Sequence, residues 1–184
     1  MLMAELRLSK GLIAAIIAIV AVVIVLMMVA LSYNSMVSKE QGVENAWGNI
    51  EARYQRRIEL IPAVYEATNL SIDLQVDLLT NITLARTQWL NNIGNIPAQV
   101  NATETLDRNI VLLLATYENY PPVDSTAILN LQAELSSTQG MIDAARIFYN
   151  DAVREYNTAI KKFPNVMFAG MFGFEEAVYY SQGM

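Results

Sequence analysis

Histidine and cysteine are both absent from this sequence of 184 residues. Their absence removes the commonest general base, the commonest metal ligand, every thiolate nucleophile and every disulfide. What remains for chemistry is carboxylates, hydroxyls and a few arginines. Helical bundles can pair carboxylates around two metals, but that site also takes a Glu-x-x-His motif from each of two helices. Without His it cannot be built, and most of the 18 Asp and Glu residues fall away from the apolar positions, as on solvated helix faces. No G-x-S-x-G turn or Ser-x-x-Lys motif supports a hydroxyl nucleophile. The expectation is therefore a protein that is not an enzyme, with no catalytic residues, no cofactor and no metal.

Three other groups of residues can make contacts rather than reactions. Arg53, Arg56 and Arg57 form the one dense basic cluster. It can dock a partner's acid or an anionic lipid headgroup. Alternatively Arg57 pairs internally with Asp151 or Glu155 on the last helix, leaving Arg53 and Arg56 as the outward contacts. The stretch from Phe163 to Phe174, FPNVMFAGMFGF, gathers four Phe and two Met. Either it presents an apolar patch to a partner or a membrane surface, with Phe168, Met171 and Phe172 as contacts, or it folds back and closes one end of the helical domain, the commoner arrangement. Asn69, Asn81 and Asn101 each open an Asn-x-Ser/Thr triplet, the acceptor pattern for glycosylation. Net charge is -6, which argues against nucleic acid as a partner.

These residues are positioned by one dominant element. Gly11 to Leu31, GLIAAIIAIVAVVIVLMMVAL, has no charge and no proline. At about 1.5 Å per residue it reaches roughly 30 Å, the thickness of a bilayer's hydrocarbon core. It predicts a transmembrane helix over 11–31, a head over 1–10 and one folded domain over 32–184. Arg7 and Lys10 outweigh Glu5 in the head, which places it on the cytoplasmic side and the domain outside, as a single-pass protein of the cell membrane. A cleaved signal peptide is the rival, with Ala30-Leu31-Ser32 as the site, but the apolar run is longer than the roughly 7–15 residues usual for one. Gly11, Ala14, Ala18 and Ala21 put small residues on one face of the span, where membrane helices pair closely.

Beyond the span, no Gly or Pro separates Leu31 from Val37, and Val43, Trp47, Ile50, Tyr54, Ile58 and Ile61 then take up a new apolar face, with Gly42 and Gly48 as costs that packing offsets. The spacing predicts one long helix, with a kink or break at Pro62. Val64, Leu74, Leu78, Ile82, Ala85 and Trp89 predict a second helix over 63–92. Gly94, Pro97 and four Asn then read as a loop over 91–101. A third helix begins near Ala102 or Thr103, carries Leu106, Ile110, Leu113 and Tyr117, and stops at Pro121 and Pro122. Asp124 or Ser125 caps a last helix whose stripe runs from Ile128 and Leu131 through Leu135, Thr138, Ile142, Ala145, Tyr149, Val153, Tyr156 and Ile160 to Phe163. The predicted fold class is all-α, a single N-terminal transmembrane helix followed by an antiparallel four-helix bundle of long helices.

Three segments carry a resemblance. Val43 to Pro62 (VENAWGNIEARYQRRIELIP), Tyr117 to Arg146 (YENYPPVDSTAILNLQAELSSTQGMIDAAR) and, most specifically, Tyr149 to Phe174 (YNDAVREYNTAIKKFPNVMFAGMFGF) resemble the LemA family. The likeness leaves out the middle of the chain from Tyr65 to Val100, where that family usually has a more charged segment. Ile147 and Val178 stand where it tends to have Arg and Pro. The resemblance implies a helical bundle on a membrane anchor, with no established activity or catalytic residues. The expected function is a membrane-anchored scaffold or interaction module of the cell envelope. Its expected partners are the membrane, other copies of itself and other envelope proteins. The alternatives are an unrecognised hydrolase or metal-dependent enzyme and a secreted binding protein.

Overall fold

The structure is a computed structural model, and it describes residues 10–60, 73–118 and 125–180. Among the described residues there are four α-helices. These are α1 (Lys10–Glu59), α2 (Asp73–Asn91), α3 (Ile96–Glu118) and α4 (Ser125–Lys161). Two short 3-10 turns follow at Asn165–Met167 and Gly170–Phe172. The fold is all-α, but it is not a membrane helix with a separate four-helix bundle after it. The apolar span and the first core helix are one element, because no Gly or Pro separates Leu31 from Val37, the lone Gly42 is tolerated, and helical propagation adds a bond per residue once begun.

The chain forms two compact units. The first comprises Met1–Gln41 and Glu155–Glu176. In it the apolar part of α1 stands exposed, and is the one stretch among the described residues long and apolar enough to cross a membrane. Ser32 and Met36 are buried on the face of α1 just past the span. The second unit comprises Gly42–Arg154 and Ala177–Met184. Its helical core is built from the predicted stripes: Val43, Trp47, Ile50, Tyr54 and Ile58 of α1, Ile82, Ala85 and Trp89 of α2, Leu106, Ile110 and Leu113 of α3, and Leu135, Ile142, Ala145, Tyr149 and Val153 of α4. Trp47 packs edge-on to Tyr149 and Tyr54 lies against Trp89, so aromatic contacts join α1 to α4 and to α2.

The expected loop over 91–101 is mostly helix. After α2 only a tight turn intervenes, with Gly94 at φ 86, a conformation that favours glycine. Asn95 then caps α3, its Oδ1 accepting from the Ala98 amide at 3.1 Å. Pro97 sits in the first helical turn, where its missing N–H and fixed φ cost nothing. Pro and Asn therefore mark a helix start here, and α3 begins before Ala102. It also follows that Asn101 lies on a helix and not in a loop. α2 is described only from Asp73, and Ile61, Pro62 and Val64 lie outside the described residues, as do the side chains of Leu74, Leu78, Tyr117, Ile128 and Leu131. α4 ends before Phe163, which is exposed and not the last member of the stripe.

Candidate functional site

The densest polar constellation in the second unit lies within its core. Arg57 is the next residue before Ile58 on α1, and packing Ile58 inward carries Arg57 in as well, leaving it 2% exposed. A buried guanidinium needs an acid and hydrogen-bond acceptors, because its desolvation cost is otherwise several kcal/mol. Arg57 Nη1 donates to Asp107 Oδ1 of α3 at 2.9 Å and to Gln139 Oε1 of α4. Arg146 of α4 approaches the other oxygen of the same carboxylate, Asp107 Oδ2, and reaches Asp143 at 3.4 Å. One aspartate thus bridges two arginines from two helices.

Two tyrosines complete the cluster. The Tyr54 hydroxyl donates to Asp107 Oδ2 at 2.7 Å and accepts from Arg146 Nη2 at 2.7 Å. Tyr180 brings in the C-terminal segment: its hydroxyl accepts from Arg146 Nη2 at 2.8 Å, and the Arg146 guanidinium lies 4.3 Å from its ring centre. Asn150 holds the Tyr180 backbone on both sides, donating to its carbonyl at 3.0 Å and accepting from its amide at 2.8 Å. Tyr149 donates to the Val178 carbonyl at 2.7 Å. Burial, and after it the Asp107 charge, pushes the Tyr180 phenol up to about 12 and the Tyr54 phenol well above the usual tyrosine value. Both therefore stay protonated, the Tyr54 hydroxyl donating to Asp107 and the Tyr180 hydroxyl accepting from Arg146.

A second polar chain runs beside the first. Trp47 Nε1 donates to Gln99 Oε1 at 2.9 Å, and Gln99 Nε2 donates to Glu51 at 3.0 Å. Trp89 Nε1 donates to Thr103 Oγ1 at 3.0 Å. The Nη atoms, amides, hydroxyls and indole N–H groups named here are all engaged, while the buried Nε atoms of Arg57 and Arg146 have no hydrogen-bond partner among the described residues. The arrangement can orient helices and hold a tail. Among the described residues no three Asp or Glu converge in a way that could hold a metal.

The predicted contact residues are dispersed. Arg57 pairs with Asp107, not with Asp151 or Glu155: Asp151 pairs with Arg154 at 2.9 Å and Glu155 with Lys39 at 2.7 Å. α3 supplies the acid because Asp107 flanks its buried Leu106. Arg56 is exposed and reaches Glu134 at 2.6 Å, while the half-buried Arg53 has no hydrogen-bond partner for its Nε among the described residues. Gly11, Ala14, Ala18 and Ala21 lie along the exposed part of α1. Phe168 is half-buried, and Met171 and Phe172 are exposed. Asn81 and Asn101 are exposed on α2 and α3, but the hydroxyl of the Asn101 triplet, Thr103, is buried and donates to the Gln99 carbonyl at 2.6 Å. Asn69 lies outside the described residues.

Asp107, Gln99, Arg146 and Tyr180 escaped the sequence reading. Asp107 and Arg146 each adjoin an apolar stripe, Leu106 on one side and Ala145 on the other. A charge beside a stripe on two helices, opposite a third such charge at Arg57, was the available signal. Gln99 was hidden by the mistaken loop.

No curated protein matches this sequence. The profile of the LemA family matches residues 46–183, which takes in the Arg57–Asp107–Arg146 cluster, the tail that closes over it and most of the sequence. The chain belongs to the LemA family.

Proposed function

We propose that this protein is a non-enzymatic, membrane-anchored interaction module of the cell envelope that self-associates through its span. The observation that carries the reading is α1, one unbroken helix over Lys10–Glu59 that holds both the apolar span and a wall of the buried core. Contacts between spans are then covalently continuous with the element that organises the core, which favours a symmetric assembly. Family membership and a sequence without His or Cys support a protein with no catalytic role. The span is retained in this reading. α1 stays helical across Ala30-Leu31-Ser32 and Ser32 is buried, which disfavours a peptidase that needs an extended, accessible site. The excess of Arg7 and Lys10 over Glu5 in the sequence supports a head inside and a helical core outside. Envelope proteins are the expected partners.

The test replaces Ala14, Ala18 and Ala21 together by Leu, which keeps the span apolar and blocks close helix approach. Native mass spectrometry in mild detergent should show a smaller oligomer for the variant. A monomeric parent protein refutes self-association, and an unchanged oligomer moves the contacts out of the span. Protease added to spheroplasts should digest the chain beyond Ser32; full protection of that part reverses the orientation.

A further inference from the structure

The segment after α4 has two faces. Asn165, Ala169 and Phe174 are buried, and Asn165 Nδ2 donates to the Ala159 carbonyl at 2.9 Å, fixing the first 3-10 turn against the end of α4. The other face carries Phe163, Val166, Met167, Met171 and Phe172, all exposed, with Phe163 at 71% and Met171 at 69%. An ordered segment that turns this much apolar surface to water calls for an occupant.

The same unit identifies it. The Tyr33 ring of α1 lies 5.1 Å from the Phe172 ring and 5.8 Å from the Phe174 ring, both edge-on. Tyr33 is two residues past Leu31, the end of the apolar span, hence about 3 Å farther along the helix axis. The polar zone of a bilayer is about 5–8 Å deep on each side of the hydrocarbon. Phe172 is thus held at the depth of that zone whenever α1 spans a membrane. The half-buried Met28 and Val29, next to the buried Ser32, continue the covered face of α1 into the span itself. Aromatic rings at that level, Tyr33 included, have the amphipathic placement typical of membrane interfaces.

We propose that the 3-10 segment over 163–174 is a second membrane contact, lying in the bilayer interface with Phe163, Val166, Met167, Met171 and Phe172 inserted among lipid chains. It anchors the end of α4 to the surface that α1 crosses. Insertion is apolar and not electrostatic. Lys161 is paired with Glu176 at 2.7 Å, and the segment's two lysines, Lys161 and Lys162, are matched in number by Glu175 and Glu176. Zwitterionic phosphatidylcholine therefore suffices, and anionic lipid adds little.

The inference rests on α1 spanning the bilayer, and one experiment separates the two. The sequence has no cysteine, so Met171→Cys and, as a second site, Met167→Cys each accept a single environment-sensitive fluorophore in the full chain. Ile19→Cys reports the span and Gln41→Cys reports water. The labelled proteins are reconstituted in phosphatidylcholine vesicles carrying a doxyl quencher near the headgroup or deep in the chain, with iodide added outside. The labels at Met171 and Met167 should shift to the blue and lose fluorescence to the shallow quencher, while Gln41 loses it to iodide and Ile19 to the deep quencher. If Ile19 is quenched by the deep probe but Met171 and Met167 are quenched by iodide, α1 spans and the interfacial contact is refuted. Shielding from both quenchers means that a second protein surface covers the segment, which also overturns the proposal. An Ile19 label untouched by the deep quencher refutes the spanning reading itself.

Discussion

Replacing Asp107 by Asn tests whether the second unit depends on its buried charges. The substitution keeps shape and hydrogen-bonding capacity but removes the one carboxylate that both Arg57 and Arg146 contact. The Asp107 side chain is 19% exposed and the Arg57 side chain 2%, so solvent screening is slight. Breaking a buried pair in this way costs about 3–5 kcal/mol, because a charge stays behind without its counter-ion. The lower end applies. Arg146 keeps Asp143 and the two tyrosine hydroxyls, and Arg57 keeps Gln139, so neither guanidinium loses every partner. A loss of about 3 kcal/mol is a large share of the roughly 5–15 kcal/mol that holds a domain together. At about 2–4 °C per kcal/mol for a chain of this size, the melting temperature falls by roughly 10 °C. Far-UV circular dichroism of the detergent-solubilised full chain measures it. The exposed pair Arg56–Glu134 is the internal comparison, since Arg56→Ala should cost no more than about 1 kcal/mol. If Asp107→Asn melts within the change seen for Arg56→Ala, the bridging aspartate is not what compensates the buried arginines.

Three further outcomes follow from the same geometry. Asn95→Ala removes the side-chain acceptor at the start of α3 and should destabilise the fold by about 1 kcal/mol, read as a small drop in melting temperature, with Asn95→Asp close to the parent. Truncation after Lys162 removes the buried Phe174 from the first unit and the buried Tyr180 from the second, worth about 1.5–3 kcal/mol each, and should lower the melting temperature by many degrees; a truncated chain that melts like the full one shows that the tail contributes no core. The Tyr149 and Tyr180 phenols, raised from 10.0 to about 12 by burial, hold their protons when the unfolded chain has lost them. Their contribution is therefore complete below pH 10 and declines as pH rises from 10 towards 12, so the melting temperature should fall across that window and fall less steeply in Tyr149→Phe.

What the sequence revealed follows from which forces leave a periodic trace. The α4 stripe from Leu135 to Ile160 was legible because burial recurs at three and four residues, and each member is buried in the structure. The same held for Trp47, Tyr54 and Trp89. The start of α3 was misread because Asn and Pro are signals of both loops and helix starts, and only the Asn95 contact to Ala98 distinguishes them. The Arg57 partner was misassigned because pairing depends on which helices meet and at what height, and no local pattern encodes that. Gly11, Ala14, Ala18 and Ala21 stand out by size in the sequence, while in the structure the whole stretch around them is exposed alike.

The second unit holds two arginines, Arg57 and Arg146, within its core, and the energetics make that informative. Apolar residues of similar volume in place of a buried ion network are often as stabilising or more so, so stability alone does not explain Arg57, Asp107 and Arg146. What apolar residues lack is directionality. Leu against Leu tolerates a shifted helix, whereas Asp107 can bridge Arg57 and Arg146 only when α1, α3 and α4 stand at one relative height. Tyr180 adds a fourth constraint, its hydroxyl meeting Arg146 while Asn150 holds its backbone on both sides. The network thus acts as a register lock within this unit. Such a lock also fixes the outer surface of the unit, since a slipped helix would move every exposed residue with it.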